Sequence, residues 1–490
     1  MKQLNRVLLS GASGFLGRAL ALRLARAGLE VVALVRDPER ARGVLGSGPR
    51  LLSTSISDAG LRAELAHVDA VVNLAGEPLF GPRWSERRRA ELRSSRVATT
   101  ARLARAIAGA ARRPAVFVSG SAVGIWGDRG DEQLDERSSP GQGFLAELCG
   151  AWEAAARPAE EAQVRTVLLR TGVVLGAEGG ALATMLPPFR LGLGGRLGHG
   201  RQWMPWIHID DWLELVVRAL RDESLSGALA ATAPEPVRNS EFTRALGQAL
   251  RRPTPFPVPG VALELVLGEV ASLLLTGQRV RPTRALAAGF AFRFPTLAGA
   301  LEDLVAPDPT VEIGACRDAP DAEYLRQRKP RYQLAQRTLI HAPLEQVFEF
   351  FSRSENLGAI TPPTMAFTTL GAPGRAMHAG REIDYAIRVG PVPLRWRSRI
   401  EVWEPGARFV DSQLEGPYRA WWHEHRFARA GEHTLMEDRV WYAAPLGPLG
   451  ALAQRWLIAG RLSAIFGYRA RAVRWRFGAD SARESTGVPH

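Results

Sequence analysis

The sequence predicts two different folds in tandem, an α/β unit on a doubly wound parallel sheet with a small additional lobe, and then a separate α+β unit. Three observations carry this reading. The chain opens on an apolar run that stops at evenly spaced glycines and continues into a helical pattern, the punctuation of a strand, a turn and a helix. Apolar runs of the kind found in strands buried on both faces then recur between helical stretches, whereas beyond residue 330 the strands alternate in polarity and follow one another directly. Composition changes at the same place: all six tyrosines lie at or beyond Tyr324, and residues 3–323 contain neither Tyr nor Lys. A chain of 490 residues also exceeds one ordinary domain.

The first element is Val7-Leu8-Leu9-Ser10, followed by Gly11-Ala12-Ser13-Gly14-Phe15-Leu16-Gly17 and the helix that begins with Arg18-Ala19-Leu20. Gly11 allows a tight turn, Gly14 lets a pyrophosphate approach the backbone, and Gly17 lets the helix pack on the strand with its first N–H groups aimed at the anion. The G-x-x-G-x-x-G spacing resembles that of the extended short-chain dehydrogenase/reductases, a Rossmann-fold superfamily that includes the nucleotide-sugar epimerases. The resemblance implies a dinucleotide held by Gly11, Ser13, Gly14, Phe15, Leu16 and Gly17.

Glu30-Val31-Val32-Ala33-Leu34-Val35 is the second strand, and Arg36 stands at its end, where such a fold reads the adenosine ribose. A 2′-phosphate wants a guanidinium and a 2′-hydroxyl wants an acid, so Arg36 favours NADP(H), with Asp37 keeping NAD(H) open. Ala70-Val71-Val72-Asn73-Leu74-Ala75-Gly76 is a further parallel strand. It resembles the N-x-A-G element of the superfamily, which implies that Leu74, Ala75 and Gly76 lie along the phosphates and the nicotinamide ribose. The stretch from Arg83-Trp84-Ser85-Glu86 to Val97-Ala98-Thr99-Thr100 resembles an atypical branch, the YfcH-like epimerases, and implies that Glu91 and Arg96 face the cofactor.

Ala115 to Gly124 is a strand ending in hydroxyls at the carboxyl edge, where open α/β sheets place their chemistry. By the resemblance, Ser121 would hold the reacting oxygen of a small-molecule substrate as the catalytic residue, and Ser119 would sit near the nicotinamide. The superfamily's Tyr-x-x-x-Lys dyad, in which lysine lowers the pKa of a proton-passing tyrosine, cannot exist in a segment without either residue. Where it would fall, the chain reads Gly143-Phe144-Leu145-Ala146-Glu147-Leu148-Cys149-Gly150-Ala151-Trp152-Glu153, leaving Glu147, Cys149 and the more distant His208 as substitute acid/base candidates, each with a cap, core or structural role as its alternative. A substrate lobe is expected over about 170–305 within a first domain of residues 1–305. Its signs are the Gly/Pro-punctuated stretch around Met185 to Gly195, the Trp206-Ile207-His208-Ile209-Asp210-Asp211 strand and helix start, and Arg279 or Arg281 as open candidates for a substrate phosphate.

Residues 306–332, including Ala306-Pro307-Asp308-Pro309, turn to Pro, Asp and Arg with little periodicity and read as a linker. Residues 333–480 then show a strand, a helix opened by Pro343, strands near Glu382 to Val389, Leu394 to Trp403, Arg408 to Leu414, Arg419 to Phe427 and Thr434 to Tyr442, and a terminal helix from about Leu449 to Phe477. This order, with Asn356-Leu357, Thr361-Pro362-Pro363, Gly416-Pro417-Tyr418 and Pro445-Leu446-Gly447-Pro448-Leu449-Gly450, resembles the helix-grip fold of the START and polyketide-cyclase-like (SRPBCC) superfamily. The resemblance implies a cavity for a hydrophobic ligand, with Trp396, Trp403, Trp421, Trp422 and Trp441 offering wall area. His423 and His425 share one face of a strand, but no third ligand presents itself in the sequence, so no metal is expected there.

The net charge of +13 is spread over both regions, and Arg87-Arg88-Arg89 reads as a solvated helix face, so no nucleic-acid partner is expected. Two distant cysteines, Cys149 and Cys316, make neither a disulfide framework nor a metal quartet. With no apolar run long enough for a bilayer and no leader pattern, the expectation is a cytoplasmic protein without a membrane span. The sequence supports an NADP(H)-binding oxidoreductase or epimerase-like protein fused to a hydrophobic-ligand-binding module, and leaves open a non-catalytic NADP(H)-dependent sensor or a lipid or polyketide carrier.

Overall fold

Seven parallel strands, β1 (Arg6–Ser10), β2 (Glu30–Val35), β3 (Arg50–Ser53), β4 (Ala70–Asn73), β5 (Val116–Ala122), β6 (Arg165–Thr171) and β7 (Gly227–Ala231), form the first sheet in the order β7-β6-β5-β4-β1-β2-β3. The computed structural model describes residues 4–46, 48–305, 310–362, 365, 367–370, 377–389, 392–445, 450, 454 and 458–477. Of the features expected from sequence, Ala306-Pro307-Asp308-Pro309, Pro363, Leu446-Gly447-Pro448-Leu449 and residues 478–480 lie outside those. The chain divides into two compact units, Met1–Pro38 with Gly48–Ala306, and Glu39–Ser47 with Pro307–His490.

In the first unit Val7, Leu8 and Leu9 are all fully buried although successive side chains of a strand point to opposite faces, so both faces of the sheet are covered. Helix α1 (Phe15–Arg26) buries Leu20 and Leu24, each contributing about 2 kcal/mol by leaving water. The order of strands reverses direction between β1 and β4, and this is the crevice where a doubly wound sheet binds its ligand. Register brings Ser10 opposite Asn73, and Asn73 opposite Ser119, so the polar ends of β1 and β4 line up with a serine of β5.

The second unit is an eight-stranded antiparallel sheet: β8 (Val311–Ala315), β9 (Tyr332–Ile340), β10 (Thr368–Leu370), β11 (Glu382–Val389), β12 (Val392–Glu404), β13 (Arg408–Glu415), β14 (Ala420–Ala430) and β15 (His433–Ala443). They lie in the order β8-β9-β15-β14-β13-β12-β11-β10. The expected linker is not featureless, because β8 pairs with β9 and a short helix (Glu323–Arg328) places Leu325 against Val410, Trp422 and Trp441. The physical reason is that Trp422 and Trp441 alternate out of the inner face and need cover. The other face carries Val347, Phe348 and Phe351 of a helix at Leu344–Phe351, packed with Phe409 and Phe427. The terminal helix spans Ala459–Phe477 and buries Leu462, Phe466 and Val473. Among the described residues no helix is long and apolar enough to cross a membrane.

Candidate functional site

The glycine turn has the geometry its spacing predicts. Gly11 adopts φ +73°, and a Cβ there would lie 2.7 Å from the Leu74 carbonyl carbon, so the loop can run against the end of β4 only without a side chain. A Cβ on Gly17 would fall 2.1 Å from the Gly11 carbonyl oxygen, which ties the start of α1 to the turn. Gly14 is the N-cap of α1 and offers no side chain to cap it, so no side chain of the cap residue satisfies the first N–H groups of the helix. Ser13 is exposed on the turn and Leu16 is half-buried behind it. Phe15 packs against a second glycine loop: a Cβ on Gly176 or Gly179 would come within 2.6 Å of its ring.

Arg36 is exposed at the tip of β2 and pairs with Glu77 at 2.7 Å. Ser10 Oγ donates to Asn73 Oδ1 at 2.5 Å, Asn73 Nδ2 donates to Thr100 Oγ1 at 2.7 Å, and Trp152 Nε1 reaches the same hydroxyl at 2.9 Å, which locks the polar ends of β1 and β4. The loop after β4 is held from the side. Ser94–Ala98 is a π-helical turn between helices at Glu86–Arg93 and Thr99–Ala108, and it turns Arg96 inward. The Arg96 guanidinium donates to the Glu77 carbonyl at 2.8 Å, lies 5.3 Å from the centre of the Trp152 ring, and packs closely over Gly76, where a Cβ would lie 3.1 Å from its central carbon. Burial pushes its pKa down from the usual arginine value. Glu91 lies on the exposed side of its helix and pairs with Arg87 and Arg88, and Arg88 in turn donates to the Pro78 carbonyl at 2.6 Å. Arg89 pairs with Glu269, so the three-arginine run is engaged within its own unit.

At the end of β5, Ser119 is fully buried and Ser121 nearly so. Ser121 Oγ donates to Glu153 Oε1 at 2.7 Å, and Glu153 accepts two bonds from Arg170, at 2.9 and 3.0 Å. Arg170 also lies over the ring of Trp126 at 5.0 Å. Neither Glu153 nor Arg170 stood out in the sequence, since one ends a helix and the other sits inside a strand. The acid/base candidates fare differently. Cys149 is buried, and burial, with the nearby Glu153 charge adding, pushes its thiol up to about 12. Glu147 is exposed. His208 is the N-cap of the helix Ile209–Arg221, its Nδ1 accepting from the Asp210 N–H at 3.0 Å, and its ring lies 3.9 Å from that of Phe294. Arg279 stacks on Trp203 at 5.0 Å.

The second unit holds a cavity of about 370 Å³. Phe351, Ile400, Trp396, Trp421, Leu462 and Phe466 are among its walls. Of the five tryptophans expected there, only Trp396 and Trp421 face it; Trp403 packs against Phe348 and Phe409, and Trp422 and Trp441 lie on the other face. Strand alternation separates Trp421 from Trp422. The cavity also exposes polar groups: Asp411, His423, His425 and Arg469. Asp411 supplies the third donor that the sequence did not reveal, from the neighbouring strand β13 at the position opposite His423. Burial, with the neighbouring His425 adding, pushes His423 down to about 4, whereas the Asp438 and Asp411 carboxylates raise His425 in spite of its burial.

The NAD dependent epimerase/dehydratase family model matches residues 7–228, and a Domain of unknown function (DUF1731) matches residues 258–304. The epimerase family protein SDR39U1 of Mus musculus is 42% identical over 305 residues, which cover 61% of this chain and 100% of that protein. The chain belongs to the SDR39U1 epimerase family. YfhF of Bacillus subtilis, another epimerase family protein, is 35% identical over 306 residues, 62% of this chain and 99% of that protein. The crystal structure of human SDR39U1 with NADPH has a TM-score of 0.56 at 39% identity, over 61% of this chain and 98% of that one. A Burkholderia cenocepacia epimerase structure, at 19% identity and TM-score 0.50, shares the fold alone. In this family member the Rossmann-like parallel sheet is accompanied by a separate antiparallel-sheet domain.

Proposed function

We propose that the first unit binds NADP(H) across the Gly11–Gly17 turn and acts on a small-molecule alcohol or carbonyl, and that the second is a helix-grip module for a hydrophobic ligand. The observation that carries the cofactor reading is the cradle: glycine positions 11 and 17 are closed to any side chain, directly before uncapped helical N–H groups. Its relative, human SDR39U1, was crystallised with NADPH, and Arg36 supplies the guanidinium that a 2′-phosphate would engage in exchange for Glu77. NAD(H) is the weaker alternative. Arg96 and the Glu91–Arg88 pair serve the cofactor through the chain, by holding the Gly76-Glu77-Pro78 loop that would line its phosphates together with Leu74 and Ala75. Bound NADPH supplies a hydride from its nicotinamide, beside which Ser119 would stand.

The Ser121 hydroxyl donates its hydrogen bond to Glu153, which leaves the lone pairs of its oxygen to accept from a substrate hydroxyl, and Arg170 keeps Glu153 fixed for that purpose. Titration of the full chain with NADPH, followed by its fluorescence, tests the binding. Saturable binding with Arg36-dependent preference over NADH supports it, and no saturation overturns it. Substrate-dependent absorbance change over carbonyl and nucleotide-sugar panels, lost in Ser121→Ala, tests catalysis. The absence of Tyr and Lys from residues 3–323 favours one second reading, an NADP(H)-dependent sensor without turnover, which a silent panel on a protein that binds NADPH would support. For the second unit, native mass spectrometry of the purified chain should show a co-purified apolar molecule, and an organic extract that yields none speaks against a carrier.

A further inference from the structure

We propose that Asp411, His423 and His425 form a mononuclear site for a divalent transition-metal ion, open on one side to the apolar cavity of the second unit. This goes beyond the proposed ligand-binding role and does not depend on the first unit. Among the described residues these three are the group whose donor atoms converge for a metal, all lying within 4.8 Å of one another. Asp411 Oδ1 is 3.6 Å from His423 Nδ1 and 3.6 Å from His425 Nε2, too far for a hydrogen bond. A tetrahedral ion with bonds of about 2.0–2.1 Å spaces its donors about 3.3 Å apart, so each of the two Asp411–histidine separations is within about 0.3 Å of what one ion needs.

The far side of both rings gives the second argument. His423 Nε2 lies 3.1 Å from Asp438 Oδ1 in hydrogen-bonding geometry, and His425 Nδ1 approaches the same oxygen at 2.6 Å. A neutral His423 that donates from Nε2 must present the bare lone pair of Nδ1 to the Asp411 carboxylate. Two electron-rich atoms then face each other in a buried place, an arrangement that a cation between them resolves. One carboxylate behind two histidines is also how metal-bound imidazoles are oriented and made more basic, and Arg469, 3.9 Å from Asp438, balances that outer charge.

Third, the position is selective. Asp411, His423 and His425 all line the cavity, and Asp438 does not. Three protein donors with a free side toward an apolar chamber leave a coordination position for water or for an oxygen at the end of a hydrophobic ligand, as in open rather than closed metal sites. The strand register builds this without a contiguous motif, since Asp411 is opposite His423 and His425 is opposite Asp438 on three adjacent strands.

The test uses the full chain, stripped with a chelator and titrated with Zn²⁺ or Co²⁺ alone. The expected result is one ion per chain by elemental analysis, with a Co²⁺ ligand-field spectrum of low-symmetry coordination. Asp411→Asn and His423→Gln should each abolish stoichiometric binding, Asp438→Asn should weaken it about ten- to hundred-fold, and His433→Gln, remote from the set, should leave it unchanged. Unchanged binding in a folded Asp411→Asn, His423→Gln double variant, or no binding by the parent chain, overturns the proposal. Should the variants fail to fold, X-ray absorption of the Zn²⁺-loaded parent decides: imidazole scattering from two histidines is expected, and its absence overturns the site.

Discussion

The carboxyl edge of the first sheet and the cavity face of the second both gather buried polar side chains from neighbouring strands, but they settle them differently. At the first, the polar groups near the crevice satisfy one another with aligned bonds: Ser10 with Asn73, Asn73 with Thr100, Ser121 with Glu153, Glu153 with Arg170. At the second, His423 and His425 turn one nitrogen each to Asp438 and leave the other facing Asp411 at a distance that no hydrogen bond spans. The lesson is that a satisfied polar edge positions a ligand made of many groups, whereas an under-satisfied cluster asks for a single compact charge.

The comparison breaks most visibly at Glu153. Glu153→Ala strands the buried Arg170 guanidinium and is expected to cost about 3–5 kcal/mol in denaturant unfolding, against about 1 kcal/mol for Ser121→Ala, which removes one hydrogen bond. Equal costs for the two variants would show that the ion pair does not brace the edge. Next in size, Gly17→Ala forces a methyl group into the Gly11 carbonyl, with an expected loss of about 1–3 kcal/mol and of NADPH binding; a melting curve and a titration unchanged from the parent would reopen the geometry of the turn. Arg36→Asp comes third. It leaves stability unaltered because the side chain is exposed, and is expected to shift the NADPH-to-NADH preference toward NADH by about ten- to hundred-fold, measured as a ratio of dissociation constants.

The smallest effect concerns Cys149. A thiol pushed up to about 12 is almost wholly protonated at pH 8, about one part in ten thousand being thiolate, so the native protein should resist iodoacetamide at this residue and react only after unfolding. Rapid native labelling at Cys149, read by peptide mass spectrometry, would restore it as an acid/base candidate.

Much of the first unit was legible because its signals are local. Val7 to Gly17 encodes a strand, a turn and a helix start, Arg36 directly follows an apolar run, and the lack of Tyr and Lys needs only counting. The brace of Ser121 was not, because Glu153 and Arg170 meet across a helix and a strand and carry no spacing of their own. Similarly, the resemblance implies that Arg96 faces the cofactor, but the π-helical turn that directs its guanidinium to the Glu77 carbonyl depends on how two helices join and has no signal in the sequence. In the second unit the strand pattern could be read, yet Trp421 and Trp422 were assigned to one wall although adjacent residues of a strand must diverge. Residues 306–332 lacked strong periodicity, and their strand and helix form against β9 and the outer tryptophans.

By itself the sequence determined the two fold classes, the glycine turn and the absence of the usual proton-transfer pair, since backbone freedom, strand periodicity and residue inventory are properties of the chain at short range. Tertiary structure alone decided which distant side chains meet: Glu153 with Ser121, and Asp411 with His423 and His425. Register is the physical reason, for a shift of one residue between strands would turn each of these groups to the opposite face.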